Sequence, residues 1–208
     1  MGRKYFVKNS LYMLLKEDFY CRRSVATIAR ELLGKGLFTN ISGITTGGTI
    51  VETEAYSWKE KGCHAYQNRK TARNEVMFEK GGLAYVYLCY GIHHLFNVVT
   101  NKVGRAEAVL IRALQPVEGA REMMKRTGSS MENRITSGPG KLTRALGIDR
   151  RNNGHALQSD KLWIEDLGTV VKKSEIGTSP RIGIDYAGTD ALLPWRFTLK
   201  DNSWITKR

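Results

Sequence analysis

Short β-prone segments recur along the whole chain, and they alternate with helical segments in no regular order. Runs rich in β-branched and aromatic residues, bounded by glycines or polar turns, are typical of strands. They lie at residues 49–56, 84–90, 95–100, 109–113, 162–164, 181–184 and 195–199. A parallel sheet needs a repeated strand–helix–strand rhythm, which this chain lacks. The sequence therefore predicts an α+β fold with a mostly antiparallel sheet, in which 84–90 and 95–100 form a hairpin.

Helical periodicity is found between these strands. Apolar residues from Val25 to Leu33 recur at three- and four-residue spacing, and Ser24 is suited to cap that helix. No repeat, low-complexity tract or linker interrupts the chain. We therefore expect a single domain over 1–208, with 1–18 as a flexible or peripheral N-terminal segment. The predicted helices are 10–15, 25–33, 120–126 and 142–146.

The charge of the chain indicates its class of partner. Lys and Arg number 33 against 20 Asp and Glu, which gives a net charge of +13 in 208 residues. Such an excess attracts polyanions, with nucleic acid as the first candidate and an anionic membrane surface as the second. A merely solubilising surface is the alternative. An apolar fraction of 41% is ordinary for a globular protein.

Cysteine usage and hydropathy bear on location. The three cysteines, Cys21, Cys63 and Cys89, are widely spaced and form no C-x-x-C pair, which favours a reduced, intracellular protein. The N-terminus lacks the apolar run of a signal peptide, and no run of about 18 apolar residues would span a membrane. We expect no membrane association and a bacterial cytoplasm, close to the nucleoid, or a nucleus if the source is eukaryotic.

Two glutamates on the predicted strand 49–56 are the first candidates for chemistry. Strand geometry puts Ile50, Glu52, Glu54 and Tyr56 on one face, with the two carboxylates about 7 Å apart at the backbone. One carboxylate can act as a base while the other binds an arginine. Both could instead form ion pairs on a solvent face.

Tyrosines surround these glutamates in the sequence. Five lie between positions 56 and 90, and aromatic rings near Arg and Lys can stack on nucleic-acid bases or simply fill a core. Tyr90, beside Gly91 at the predicted hairpin tip, could wedge between base pairs. The glycines before Lys141 could bind a phosphate at a helix start, although the spacing is not that of a Walker A loop. Possible zinc ligands without standard spacing, and thus not favoured, are Cys63, His64, Cys89, His93 and His94.

The ordered series of motifs resembles the alkyladenine, or 3-methyladenine, DNA glycosylases of the mammalian methylpurine type. The resemblance runs from about Phe19 to about Trp204. It implies a curved, mostly antiparallel sheet with surrounding helices and a protruding β-hairpin. The residues that carry it are Val51–Tyr56, His64–Tyr66, Arg73–Asn74, Met77–Phe78, Tyr85–Tyr87, Tyr90–Gly91, Asn97–Val98, Leu110–Leu114, Ser137–Pro139, Lys141–Leu142, Arg181–Gly183 and Trp195–Phe197.

The resemblance implies a catalytic group. Glu54 matches the family's general base, which activates the water that attacks the deoxyribose C1′. Arg112 and the backbone at Ile182 match groups that help to hold this water. Glu52 is then expected to be structural.

The resemblance also implies a base-binding pocket. Tyr56, His64 and Tyr87 match the residues that sandwich the flipped base, and the backbone at His64 is expected to contact the purine edge. Asn97 matches the residue that excludes the 2-amino group of guanine. Leu110 matches a residue of the pocket wall.

Together these residues imply a monofunctional glycosylase that acts on double-stranded DNA as a monomer, with no cofactor and no metal. Tyr90 would enter the minor groove in place of the extruded nucleotide. The expected substrates are 3-methyladenine, 7-methylguanine, hypoxanthine and ethenoadenine, and base release would start base excision repair. Departures from the family pattern at Cys63 and Tyr186 leave the preferred damaged base open.

Three other functions remain open at this point. A carbohydrate O-glycosidase would use Glu52 and Glu54 together, although a charge of +13 fits it poorly. A non-catalytic nucleic-acid-binding module would rely on the tyrosines and basic residues alone. A catalytically inactive member of the glycosylase family would keep the pocket without the reaction.

Overall fold

The computed structural model describes residues 13–22, 24–130 and 134–206. Nine strands and four α-helices lie in these ranges, together with several short 3₁₀ turns. The strands are β1 (Met13–Leu14), β2 (Gly36–Ile41), β3 (Ile44–Ser57), β4 (Ala84–Cys89), β5 (His93–Thr100), β6 (Glu107–Glu118), β7 (Leu162–Asp166), β8 (Ile176–Ser179) and β9 (Arg196–Leu199). The helices are α1 (Glu17–Tyr20), α2 (Val25–Glu31), α3 (Ala120–Thr127) and α4 (Pro139–Leu146).

All described strand pairs are antiparallel, and the sheet does not close. Its order is β1-β7-β2-β3-β6-β5-β4, and β9 pairs with both β3 and β8. The longest strand, β3, pairs with β6 along one edge and with β2 and then β9 along the other. The α+β fold class is therefore confirmed, and β3 holds its central position.

Irregular pairing bends β3 where the two glutamates lie. Its register against β6 shifts near Gly48 and again between Ile50 and Thr53. At Gly48 the two strands approach so closely that a Cβ atom would lie 2.2 Å from the carbonyl oxygen of Gln115. Bulges of this kind increase local twist and redirect side chains. The bulge places Ile50 and Ala55 in the same core, although strict alternation puts them on opposite faces.

Two hydrophobic clusters cover the sheet. The larger one joins α2, α3 and α4 to the sheet, and Ser24 caps α2 by accepting a hydrogen bond from the Thr27 N–H (3.2 Å). The smaller cluster joins the loop that follows β3 to strands β4 to β6. Its fully or nearly buried members are Cys63, Ala65, Met77, Phe78, Tyr85, Val99, Ala106 and Ala108.

Several sequence predictions are confirmed and others are wrong. The hairpin is present as β4 and β5, and helices begin after residues 24 and 119 as predicted; the helix predicted at 142–146 begins three residues earlier, at Pro139. The predicted helix 10–15 is wrong at Met13–Leu14, which pair with β7; its residues 10–12 lie outside the described residues. Residues 181–184, predicted as a strand, form a loop, and strand β8 ends just before them at Ser179. The proposed domain limits, 1–208, stay a prediction.

Candidate active site

One row of residues crosses four strands of the sheet. Antiparallel register places Tyr85 opposite Asn97, Asn97 opposite Leu110, and Leu110 opposite Glu54. Directly paired residues point to the same face. The pairing register therefore brings three of the predicted pocket and catalytic residues (Asn97, Leu110 and Glu54) into one line.

The carboxylate of Glu54 is fully buried at the end of this row. Its Oε1 accepts a hydrogen bond from the backbone N–H of Ile182 (2.8 Å). Its Oε2 accepts from the Tyr56 hydroxyl (2.8 Å) and from the Arg112 guanidinium (3.3 Å). A carboxylate has about four acceptor positions, so these three donors leave one for a further donor. The predicted catalytic groups are thus in contact with one another.

Glu52 lies in a different environment although it is only two residues away. Its Oε1 accepts hydrogen bonds from Arg112 (2.7 Å) and Arg196 (2.8 Å), and its Oε2 accepts from the Thr206 N–H (2.6 Å). Burial disfavours its ionised form, but Arg112, the Thr206 amide and Arg196 outweigh burial and lower the pKa of Glu52. Glu52 therefore holds Arg112 in place.

A cavity of about 630 Å³ opens beside these groups. Tyr56, Arg112 and Ile182 separate it from Glu54, so the carboxylate lies directly behind the cavity wall. The volume is suited to a purine with part of its sugar. The other lining residues used in the argument below are His64, Arg73, Tyr85, Tyr87, Tyr90, His93, Asn97, Leu110, Lys141 and Tyr186.

Tyr56 is held from behind by a buried ion pair. The Arg181 guanidinium lies 4.7 Å from the centre of the Tyr56 ring and binds both carboxylate oxygens of Glu60 at 2.7 Å. Burial, followed by the charge of Glu54, raises the pKa of the Tyr56 hydroxyl well above its ordinary value. The Tyr56 hydroxyl therefore stays protonated and donates a hydrogen bond to Glu54.

His64 also lines the cavity and is exposed to it. Its Nδ1 is 2.9 Å from the Tyr85 hydroxyl, and its backbone oxygen accepts a hydrogen bond from the Asn74 side chain (2.9 Å). Enclosure by neighbouring protein, followed by the positive charge of Arg73, lowers the pKa of His64 to about 4. Solvent in the open cavity screens part of this effect. The imidazole is consequently neutral at physiological pH.

Tyr87 packs beside His64 and completes an aromatic wall. The two rings are 4.6 Å apart at an angle of 68°, and the Tyr85 ring is 5.3 Å from that of Tyr87. The Arg73 guanidinium lies 5.1 Å from the centre of the Tyr87 ring. The tyrosines predicted to stack on a base, Tyr56 and Tyr87, both border the cavity.

The hairpin tip between β4 and β5 carries exposed apolar side chains. Tyr90 is 88% exposed and the neighbouring Ile92 is 73% exposed. Tyr90 and Gly91 have φ angles of 50° and 72°, and the Ile92 N–H donates to the Cys89 oxygen (3.2 Å). Two successive positive φ angles are typical of a type I′ turn, in which a tyrosine is strained. The tip therefore presents Tyr90 outward at a conformational cost.

The start of α4 lies on the same side of the cavity as the hairpin. Gly138 to Lys141 line the cavity, and the Thr143 hydroxyl donates to the His94 oxygen (2.7 Å). A Cβ atom on Gly140 would lie 2.9 Å from the His93 ring, so helix and hairpin are in close contact. The predicted phosphate-binding turn thus faces the cavity.

Sequence reasoning missed several groups at this site. Arg73 and Asn74 were noticed only as part of a motif, and neither Tyr85 as the partner of His64 nor Glu60 as the partner of Arg181 was predicted. Ile92 was read only as part of a turn, although an isoleucine in a polar hairpin turn is unusual enough to signal a contact surface.

Comparison with known proteins shows which family the chain matches. Residues 18–203 match the model of the methylpurine-DNA glycosylases. The chain belongs to the methylpurine-DNA glycosylase family. Its class is thereby that of N-glycosidic bond hydrolases that act on DNA, and the resemblance noted from the motifs is confirmed.

Bacterial relatives cover nearly the whole chain. A Carboxydothermus hydrogenoformans protein is 47% identical over 196 residues, covering 94% of this chain and 100% of the relative. A Chlamydia abortus protein is 45% identical, with 89% and 98% covered, and a Clostridium perfringens protein is 42% identical, with 94% and 100% covered. Each of the three is provisionally named a 3-methyladenine DNA glycosylase.

Two further observations concern metal ions and membranes. Within residues 13–22, 24–130 and 134–206, no three His, Cys, Asp or Glu side chains are grouped so that they could hold a metal ion. In the same ranges no helix has the length and apolar character needed to cross a bilayer.

Proposed function

We propose that this member of the family is a monofunctional DNA glycosylase that turns damaged purines out of duplex DNA and starts base excision repair. Glu54 activates a water molecule, and that water attacks C1′ of the damaged nucleotide. The observation that carries the proposal is the buried Glu54 carboxylate, held by three donors directly behind an aromatic cavity.

The contacts of Glu54 favour its role as general base. Tyr56, Arg112 and the Ile182 amide each donate a hydrogen bond to the Glu54 carboxylate and so fix its orientation. One acceptor position remains for a water proton. General-base catalysis of this kind contributes about 10²- to 10⁴-fold to a rate. As the glycosidic bond breaks, the sugar takes on oxocarbenium character, and the nearby carboxylate stabilises that charge.

The cavity favours a flipped purine as the substrate. A base inside a duplex cannot be reached, so enzymes that act on it rotate it into a pocket. Tyr56 and Tyr87 would stack on the purine, a contact that is worth about 1–3 kcal/mol per base and tolerates different bases. Asn97 is buried and its amide donates to the Tyr85 oxygen (3.2 Å), so its position is fixed where it could exclude a guanine 2-amino group.

Exposed groups on the rim fit duplex DNA. Tyr90 at the hairpin tip would fill the gap left by the extruded nucleotide, and Lys141 at the start of α4 would contact a phosphate. The expected substrates are 3-methyladenine, 7-methylguanine, hypoxanthine and ethenoadenine. The names of the relatives point to the first of these.

The carbohydrate O-glycosidase is not supported by these contacts. Such an enzyme needs two carboxyl groups that both face the sugar. Both oxygens of Glu52 are already bound, to Arg112 and Arg196 on one side and to the Thr206 amide on the other. Of the two carboxylates, Glu54 is therefore the one that can react, and hydrolysis by an activated water requires one carboxylate.

Release of free base from defined duplexes tests the proposal. The native protein should release hypoxanthine, ethenoadenine and alkylated purines, and leave unmodified DNA intact. Glu54→Gln should bind the same damaged duplex yet release base at least about 100-fold more slowly in single turnover. Normal release by that variant would exclude Glu54 as the base, and release of no damaged purine by the native protein would identify an inactive, DNA-binding member.

A second measurement tests the water mechanism. Lys141 borders the cavity, so an amine nucleophile has to be examined directly. With water as nucleophile, the product strand should stay uncut until alkali is added, and borohydride should trap no protein–DNA adduct. A trapped adduct that disappears in Lys141→Gln would show covalent catalysis instead.

A further inference from the structure

Arg73 lines the cavity and has no acidic partner among the described residues. Its guanidinium lies 5.1 Å from the centre of the Tyr87 ring, donates a hydrogen bond to the Leu88 oxygen (3.4 Å) and is close enough to interact with the Tyr85 hydroxyl. It lowers the pKa of His64, and it also acts to lower the pKa values of Tyr85 and Tyr87 against the effect of their burial. The charge of Arg73 therefore acts on His64, Tyr85 and Tyr87.

The other arginines around the cavity are neutralised. Arg112 is paired with Glu52 and Glu54, and Arg181 is paired with both oxygens of Glu60. No ion pair joins Arg73 to any carboxylate in the part of the chain that the structure describes. Among the described residues that line the cavity, the unpaired cationic side chains are therefore Arg73, beside Tyr87, and Lys141, at the start of α4.

We propose that Arg73 is a specificity-determining residue that biases the pocket toward neutral damaged purines and against positively charged ones. This inference rests on the proposed function, because it concerns which bases the same pocket accepts. A purine stacked on Tyr87 would share that ring with the guanidinium, which lies 5.1 Å from the ring centre. N-alkylation at N3 or N7 gives the purine a formal positive charge, whereas hypoxanthine and ethenoadenine are neutral.

Two physical effects act in the same direction. The first is direct repulsion between the Arg73 guanidinium and a cationic base, and for a partly hydrated pair at such a distance it corresponds to roughly a three- to tenfold effect. The second acts through the ring. Tyr87 attracts a cation through the negative face of its ring, and a guanidinium already bound to that ring reduces the attraction for another cation.

The test compares one cationic and one neutral lesion in otherwise identical duplexes. 7-Methylguanine and hypoxanthine are each placed opposite cytosine, and single-turnover release is measured with saturating protein at about pH 6, where 7-methylguanine keeps its ring proton and His64, with a pKa of about 4, is neutral. Spontaneous release of 7-methylguanine is subtracted. For Arg73→Gln the ratio of the 7-methylguanine rate to the hypoxanthine rate should rise about three- to tenfold.

Two variants separate local charge from other effects. Arg73→Lys keeps the charge and should keep the native ratio. Arg69→Gln removes one positive charge from the same exposed loop without touching the cavity, so it should leave the ratio unchanged. An unchanged ratio in Arg73→Gln, or an equal change in Arg69→Gln, would overturn the role of Arg73.

An independent readout needs no DNA. In Arg73→Gln the NMR titration of the His64 ring should shift to higher pH, since the charge that opposes its protonation has gone. If the native protein releases both bases and Arg73→Gln leaves the ratio unchanged, this inference fails while the proposed function stands. If the native protein releases neither base, both are overturned.

Discussion

At the scale of single residues, Glu52 and Glu54 show how hydrogen-bond partners decide chemistry. They are two positions apart on β3 and both are fully buried. Glu52 contacts two guanidinium groups and the Thr206 N–H, and Glu54 contacts one guanidinium, the Tyr56 hydroxyl and the Ile182 N–H. The shared Arg112 links the structural carboxylate to the one that we propose as the base.

Removal of the Glu52 charge should strongly destabilise the protein. Glu52→Gln leaves Arg112 and Arg196 buried without their common carboxylate, and breaking a buried pair in this way costs about 3–5 kcal/mol. Denaturant unfolding at neutral pH measures the loss. Glu79→Gln is the matched control, because Glu79 is exposed, and it should change the free energy of unfolding by less than about 0.5 kcal/mol.

The same glutamate makes stability depend on acid pH. The pKa of Glu52 is lowered in the folded state below the ordinary glutamate value of 4.5. Its stabilising contribution is therefore fully present above about pH 4.5 and is lost as the pH falls through the lower, folded value. Unfolding measured across this range should show a smaller pH dependence in Glu52→Gln than in the native protein. Equal slopes would contradict this account.

At the scale of elements, the β4–β5 hairpin and helix α4 form the rim of the cavity. The hairpin contributes Tyr87 and Asn97 to the pocket and Tyr90 to the outside. Helix α4 supports it through the hydrogen bond from Thr143 to His94. Because α4 supports the hairpin below its strained tip, the hairpin is suited to inserting the Tyr90 ring between stacked nucleobases.

Loss of the Tyr90 ring should weaken base flipping without unfolding the protein. Tyr90→Ser removes an 88% exposed ring, so the free energy of unfolding should hardly change. Lesion binding should fall about tenfold, in line with the stacking of one aromatic ring. The fluorescence of an ethenoadenine in the duplex reports flipping directly. Tyr90→Phe keeps the ring and should behave as the native protein, and unchanged flipping by Tyr90→Ser would count against the wedge.

At the scale of the whole molecule, the net charge of +13 adds a contribution to DNA binding that is independent of sequence. Each phosphate neutralised by Lys or Arg releases counterions, so affinity falls linearly with salt on logarithmic axes. We expect the affinity for damaged duplex to fall at least about a hundredfold between 50 and 200 mM salt. Unmodified duplex should show a similar slope, and a flat salt dependence would contradict phosphate contact as the source of affinity.

The sequence by itself determined much of this protein. Periodic and β-prone patterns predicted the antiparallel α+β fold, the hairpin and helix α2, because local side-chain spacing reports burial directly. The strand that carries Glu54, the tyrosines around it and the order of the motifs identified the family. Each single pattern or motif among these depends on residues that are close together in the chain.

Only the tertiary structure decided how the two glutamates differ and which charges remain unpaired. The Ile182 amide reaches Glu54 across 128 residues, and Arg196 reaches Glu52 across 144. The β3 bulge placed Ile50 in the core against strict alternation, and the loop at 181–184 replaced a predicted strand. Such contacts depend on strand register and on the packing of distant segments, which local periodicity does not encode. The pairing of Arg181 with Glu60, across 121 residues, has the same origin.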